Sequence, residues 1–160
     1  MKEAVVALGS NVGDRLRQME AAIKALDRLP RTRVLAVSRF YVTDPFDVPE
    51  PQEDYLNACV KLEAALGAHV LLGACLGIEA GMGKVRTYRN APRLIDLDLL
   101  LYDGERYNDQ DLTLPHPGIL QRAFVMVPLR DLYPEGVALG LQFQQELEQV
   151  GEGTVRLYSR

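Results

Sequence analysis

The chain has 160 residues, a net charge of −4, and a composition that is 48% apolar and 25% charged. That is long enough for one domain with its own core, and the balance is that of an ordinary soluble globular protein. With an acidic net charge, nothing global argues for a nucleic-acid or anionic-membrane surface, and no apolar run reaches spanning length. Met1 to Leu8 lacks the long apolar core of a signal peptide. Cys59 and Cys75 lie far apart among apolar neighbours and read as buried free thiols of a reducing compartment. The expectation is a cytoplasmic protein.

Ala4 to Leu8 predicts a buried first strand. Gly9, Ser10, Asn11, Gly13 and Asp14 then predict a turn, whose small residues either serve the turn alone or let a ligand approach the backbone. Asp14 is placed to cap a helix in which Leu16, Met19, Ile23 and Leu26 recur at helical spacing, limited by Pro30. Val34 to Val42 predicts a second strand. Between Thr43 and Asp54, Pro45, Pro49 and Pro51 stand among Asp44, Asp47, Glu50, Glu53 and Asp54, which predicts an irregular loop. A loop of that length in a compact domain is usually functional or disordered.

Tyr55 to Ala65 predicts a third strand. Leu56, Ala58, Val60 and Leu62 take one face, and Tyr55, Asn57, Cys59, Lys61 and Glu63 the other. An aromatic ring beside a carboxamide can stack on a flat heterocycle while pairing with its edge; an ordinary half-exposed strand face has the same pattern. Ala68 to Met82 predicts a second helix with Leu71, Ala74, Cys75 and Ile78 as its apolar stripe and His69 on the surface. Gly83-Lys84 is not a P-loop, because the first glycine of that motif would fall at Ile78 and its hydroxyl residue at Val85. Lys84, Arg86, Arg89 and Arg93 lead into the next segment, either as a solvated charge network or as a phosphate clamp.

That next segment alternates with period two. Ile95, Leu97, Leu99 and Leu101 share one strand face, and Asp96, Asp98 and Leu100 the other. The two carboxylates stand roughly 7 Å apart along the strand, twice the rise per residue. They are either two solvated acids of an edge strand or ligands of a hard cation, for which Mg²⁺ in the company of phosphate is the usual case. Beyond them, Tyr102 to Asp111 is a polar turn region. His116 lies between Pro115 and Pro117, a restricted backbone from which its ring can be aimed. Residues 118–133 predict helical turns interrupted by Pro128, Phe143 to Val150 a short helix, and Thr154 to Tyr158 a last strand.

The order strand, helix, strand, strand, helix, strand predicts an α+β fold. It would be a ferredoxin-like antiparallel sheet with helices on one face, an open polar face carrying Tyr55, Asn57, Asp96 and Asp98, and a C-terminal extension. Residues 1–160 are expected to form a single domain.

Taken together, these pieces resemble the 6-hydroxymethyl-7,8-dihydropterin pyrophosphokinases of folate biosynthesis. The resemblance rests on Ala7-Leu8-Gly9-Ser10-Asn11, Tyr55-Leu56-Asn57-Ala58, Pro92-Arg93-Leu94-Ile95-Asp96-Leu97-Asp98, Leu114-Pro115-His116, Arg122 and Phe124, in matching order. It implies transfer of the terminal pyrophosphoryl group of ATP to the pterin hydroxymethyl oxygen, with AMP leaving. It also implies two Mg²⁺ ions on Asp96 and Asp98, and a catalytic set of Lys84, Arg93, Asp96 and Asp98. The pterin would lie between Tyr55 and Phe124, bonded by Asn57 with help from Thr43 and enclosed by Pro45 and Phe46. Lys84, Arg86, Arg93, His116 and Arg122 would contact the ATP phosphates, with Thr113 and the backbone near Leu99 at the adenine end. Glu79 matches a family acid at the end of the second helix. The chain departs from the family pattern at Leu76, Lys84, Asn90, Asp111 and Pro117.

The expected partners are therefore ATP and the pterin, with no nucleic acid, membrane or obligate protein partner. Another Mg²⁺-dependent nucleotide enzyme would leave Tyr55, Asn57 and Phe124 without a role. An RNA-binding sheet would carry exposed aromatics and a basic face, where this chain places acids.

Overall fold

The computed structural model describes residues 1–45, 51–83 and 94–159. The chain runs β1 (Lys2–Ser10), α1 (Arg15–Asp27), β2 (Thr32–Val37), β3 (Tyr41–Thr43), β4 (Tyr55–Ala64), α2 (Ala68–Gly81) and β5 (Asp96–Tyr102). It continues with β6 (Tyr107–Asn108), β7 (Thr113–Leu114), a 3₁₀ turn (Ile119–Gln121), α3 (Ala123–Leu132), β8 (Val137–Ala138), β9 (Leu141–Gln142), α4 (Gln144–Val150) and β10 (Arg156–Leu157).

The main sheet is antiparallel, in the order β10-β3-β4-β1-β5, with β2 also paired to β4. β1 is central because Ala4, Val5, Val6 and Leu8 are all buried, which a strand covered on both sides requires. Asp14 caps α1 as expected, its carboxylate accepting the Arg17 N–H. Met19, Ala22 and Leu26 of α1 and Leu71 and Cys75 of α2 pack on Ala4, Val6, Leu8, Leu56, Ala58, Val60, Leu62, Leu97 and Leu99. This is the helix-covered face that the alternation predicts.

Several expectations are corrected. Gly9 and Ser10 belong to β1, so the turn starts at Asn11. The predicted strand from Val34 to Val42 is two strands on one edge of β4, interrupted at residues 38–40. Side chains satisfy the backbone at the break. Ser38 Oγ accepts the Cys59 N–H at 2.9 Å, and the Arg39 N–H donates to Asp131 Oδ2 at 3.0 Å. Leu101 does not share the face of Leu97. The β1–β5 register shifts between Val5 and Val6, where Val6 pairs with Leu99 and Val5 with Leu101, leaving Leu100 as the extra residue of a bulge. Pro128 lies inside α3 rather than interrupting it.

Helices on one face only is the largest correction. Val125, Met126, Val127 and Leu129 of α3, with Phe143 and Leu147, form a second core against Val5, Tyr41, Cys59, Leu100 and Leu101. Part of the predicted open face is therefore closed. Cys59 lies in this second core and Cys75 in the first, both as free thiols. The C-terminal segment returns to the sheet, where β10 pairs with β3.

Candidate functional site

Among the described residues, the second core does not include the end of that face where β1 carries its smallest side chain, Gly9. Registers on both sides of β1 place Tyr41, Asn57, Gly9 and Asp96 in one cross-strand row, and Cys59, Ala7 and Asp98 in the next. Paired residues point to the same face, so Asn57 and Asp96 rise on either side of Gly9. Two inter-strand spacings separate their strands by about 10 Å. A Cβ at Gly9 would stand 3.4 Å from Asn57 Oδ1 and 3.8 Å from Tyr55 Cδ1. The glycine therefore gives the site its floor, and the amide oxygen leans over it.

Asn57 is buried and held. Its Nδ2 donates to Thr43 Oγ1 at 2.8 Å, and Thr43 is paired with Tyr55 across β3–β4. Its carbonyl oxygen is thereby directed toward the middle of the sheet. Asn11, also buried, donates to Gln52 Oε1 and to the Glu53 carbonyl, tying the turn after β1 to the segment before β4. Pro45 follows β3 and is half-buried.

Asp96 is half-buried and Asp98 exposed, with buried Leu97 between them. The Leu97 N–H donates to Glu79 Oε2 at 2.7 Å, and Glu79 itself is buried at the end of α2. α2 thus fixes the peptide that separates the two aspartates. Among the described residues no group of three His, Cys, Asp or Glu side chains could hold a metal. A donor set of two carboxylates on one strand face still suits Mg²⁺, which keeps waters and takes phosphate oxygens as its other ligands.

Beyond the outer edge of β5, a second group assembles. The His116 N–H donates to the Leu100 carbonyl at 2.9 Å, which docks the segment after β7 against the acidic strand. His116 Nδ1 accepts the Gly118 N–H at 3.0 Å. Burial, and then the nearby Arg122 charge, push the His116 pKa below its ordinary value, so the ring is neutral at neutral pH. The Arg122 guanidinium lies 5.9 Å from the centroid of the Phe124 ring, and Phe124 is exposed in the first turn of α3.

The structure thus brings Thr43, Tyr55, Asn57, Asp96 and Asp98 onto one sheet face, and groups His116, Arg122 and Phe124 beyond the edge of the sheet. Leu99 is buried on the helix-covered face, so of this residue only the backbone is left for a ligand. Thr113 is half-buried in β7. Phe46, Lys84, Arg86 and Arg93 lie outside the described residues. Sequence reasoning missed Asp131. It accepts from Arg39 Nε and Nη2 and from the Tyr41 hydroxyl, and so anchors the end of the Tyr41–Asn57–Gly9–Asp96 row to α3. Its only sequence signal is an acid in the last turn of a helix, which is ordinarily unfavourable.

The family model for 7,8-dihydro-6-hydroxymethylpterin-pyrophosphokinase matches residues 5–134. A 2-amino-4-hydroxy-6-hydroxymethyldihydropteridine pyrophosphokinase of Methylorubrum extorquens is 40% identical over 150 residues, 94% of this chain and 94% of the relative. One of the same name from Pseudomonas aeruginosa is 40% identical over 135 residues, covering 84% and 83%. Among solved structures, an HPPK-DHPS in complex with substrates superposes with a TM-score of 0.69 at 12% identity, over 92% of this chain and 43% of that one. The wild-type HPPK-DHPS of Plasmodium falciparum gives 0.66 at 12% identity, over 93% and 43%. This chain thus spans under half of those structures, and the likeness to them is one of fold. With the family model matched over most of its length, the chain belongs to the 7,8-dihydro-6-hydroxymethylpterin-pyrophosphokinase family.

Proposed function

We propose that this protein transfers a pyrophosphoryl group from ATP to the hydroxymethyl oxygen of 6-hydroxymethyl-7,8-dihydropterin, the folate-pathway reaction named by its family. The acceptor oxygen forms a bond to the β-phosphorus, the bond from that phosphorus to the α,β-bridging oxygen breaks, and the hydroxyl proton is released. Pterin diphosphate and AMP are the products. The observation that carries this reading is the row Asn57–Gly9–Asp96, an amide for a heterocycle edge and a carboxylate for metal-bound phosphate on either side of a bare floor.

Tyr55 and Phe124 would stack on the pterin ring, Asn57 and Thr43 would fix its edge, and Pro45 and Phe46 would enclose it. Asp96 and Asp98 would hold two Mg²⁺ ions, which when bound neutralise the phosphate oxygens. His116 and Arg122 would donate to the phosphates, with Lys84, Arg86 and Arg93 carried over from the family pattern, and Thr113 and the Leu99 backbone toward the adenine. Catalysis is then alignment plus charge stabilisation with water kept out, and needs no covalent enzyme intermediate. We read residues 1–160 as one ferredoxin-like pyrophosphokinase domain with a C-terminal extension, acting in the cytoplasm without an obligate protein partner. Among the described residues no helix is long and apolar enough to cross a membrane.

The test is to incubate the protein with ATP, Mg²⁺ and the dihydropterin and to separate the nucleotides. AMP formed in step with pterin diphosphate is expected, and lost on chelation of the metal. ADP, or phosphate without pterin diphosphate, contradicts the reading.

A further inference from the structure

Gly118 meets both His116 and Arg122 beyond the edge of β5, its N–H at the imidazole and its Cα at the guanidinium. It precedes the 3₁₀ turn Ile119–Gln121 with a φ of −89°, a value that any residue adopts, so backbone conformation does not call for glycine here. Space does. A Cβ at Gly118 would lie 2.7 Å from Cζ, 2.8 Å from Nε and 3.0 Å from Nη1 of Arg122. The guanidinium thus occupies the place of the missing side chain. The N–H of the same residue donates to His116 Nδ1. A neutral imidazole whose Nδ1 accepts carries its proton on Nε2, which leaves Nε2–H as the donor.

We propose that Gly118 is a positioning residue of the nucleotide subsite: its backbone N–H sets the His116 tautomer, and its bare Cα leaves the place that the Arg122 guanidinium fills. One residue thereby presents two donors together, a neutral N–H and a charged fork, as a phosphate oxygen cluster requires. The ligand rests on the proposed function; the arrangement of the three residues does not. Because the obstructing atoms are the far end of a flexible side chain, Gly118→Ala is accommodated by displacing Arg122 while the backbone stays. Its cost falls on binding and leaves the fold intact.

The test compares wild type, Gly118→Ala, Arg122→Ala and the double variant by calorimetry with Mg²⁺-ATP, and reads the His116 tautomer by ¹⁵N NMR in the ligand-free protein. Gly118→Ala is expected to weaken nucleotide binding about tenfold and to raise KM for ATP with KM for the pterin unchanged. Its melting temperature should stay near wild type. The double variant should bind no more weakly than Arg122→Ala, since the obstructed group is then gone. Wild-type His116 should carry its proton on Nε2. Unchanged affinity in Gly118→Ala, losses that multiply in the double variant, or an Nδ1–H tautomer each overturn the proposal. Absence of nucleotide binding by wild type would instead sink the proposed function. In that case the tautomer, with the Arg122 position in a crystal of Gly118→Ala, still decides the role of Gly118.

Discussion

The two faces of the main sheet are built on the same strands and differ in what they bury. On the face under α1 and α2, β1 presents Ala4, Val6 and Leu8, and β4 presents Leu56, Ala58, Val60 and Leu62, all within one apolar cluster. On the opposite face β1 presents Val5, Ala7 and Gly9, shrinking toward its C-terminal end. The Val5 end is covered by the second core, and the Gly9 end lies between Asn57 and Asp96. One face is therefore a uniform core. The other changes along the strand from core to site, and a graded loss of side-chain volume makes the change.

The sharpest way to separate the two faces is to remove charge from one and volume from the other. Asp96→Asn and Asp98→Asn should each lower turnover by about a thousandfold or more, since positioned charge supplies most of the catalysis in phosphoryl transfer. Thermal melts should stay near wild type, because Asp96 is half-buried and Asp98 exposed. Near-normal turnover at saturating Mg²⁺ would break the comparison. Leu56→Ala, one residue from Asn57 but on the helix-covered face and fully buried, should behave oppositely. It should lose roughly 2–5 kcal/mol of stability in denaturant titration while KM for both substrates holds at low temperature.

A smaller effect tests the anchor between site and second core. Asp131→Ala should cost about 1–3 kcal/mol, because it leaves the buried Tyr41 hydroxyl and the Arg39 N–H without their acceptor. Burial pushes the Asp131 carboxyl up, but hydrogen bonds from Arg39 and Tyr41 outweigh it and hold its pKa below the usual carboxylate range. A carboxylate depressed in the folded state contributes stability that is present above its unfolded pKa and lost as pH falls through the folded one. The gap between wild type and Asp131→Ala should therefore be full near neutrality and narrow in acid. A gap that widens on acidification would reverse the sign. Smallest is Gly9→Val. Its φ is not in the left-handed region and its Cβ alone just clears Asn57, but the added methyl groups reach into the floor. The fold should survive while pterin affinity falls about tenfold by titration, with ATP affinity retained.

How much of this was legible in the sequence depended on the range of the forces involved. α1 was readable down to its Asp14 cap because the cap, the apolar stripe and the stop are local. The alternation of β4 between two faces was readable for the same reason, although Cys59 on the second face turns out to be core, as was the placing of Asp96 and Asp98 on one side of β5. Leu101 departs from the alternation because a bulge is a mismatch between two strands, and alternation in one strand contains no trace of it. The break between β2 and β3 was invisible for a related reason. It is stabilised by Ser38 on Cys59 and by Asp131 on Arg39, partners 21 and 92 residues away.

The sequence by itself determined the chemistry on offer: the paired aspartates, the Tyr55–Asn57 pair, the proline-flanked histidine and the family that these motifs resemble. These are short-range patterns, and residue type with spacing is enough to state them. Only the tertiary structure decided that Gly9 lies between Asn57 and Asp96, that α3 closes part of the second face, and that Arg122 rests where Gly118 has no side chain. Those facts depend on register between strands and on contacts across the chain. Both are set by the packing of the whole domain, which no single stretch of sequence contains.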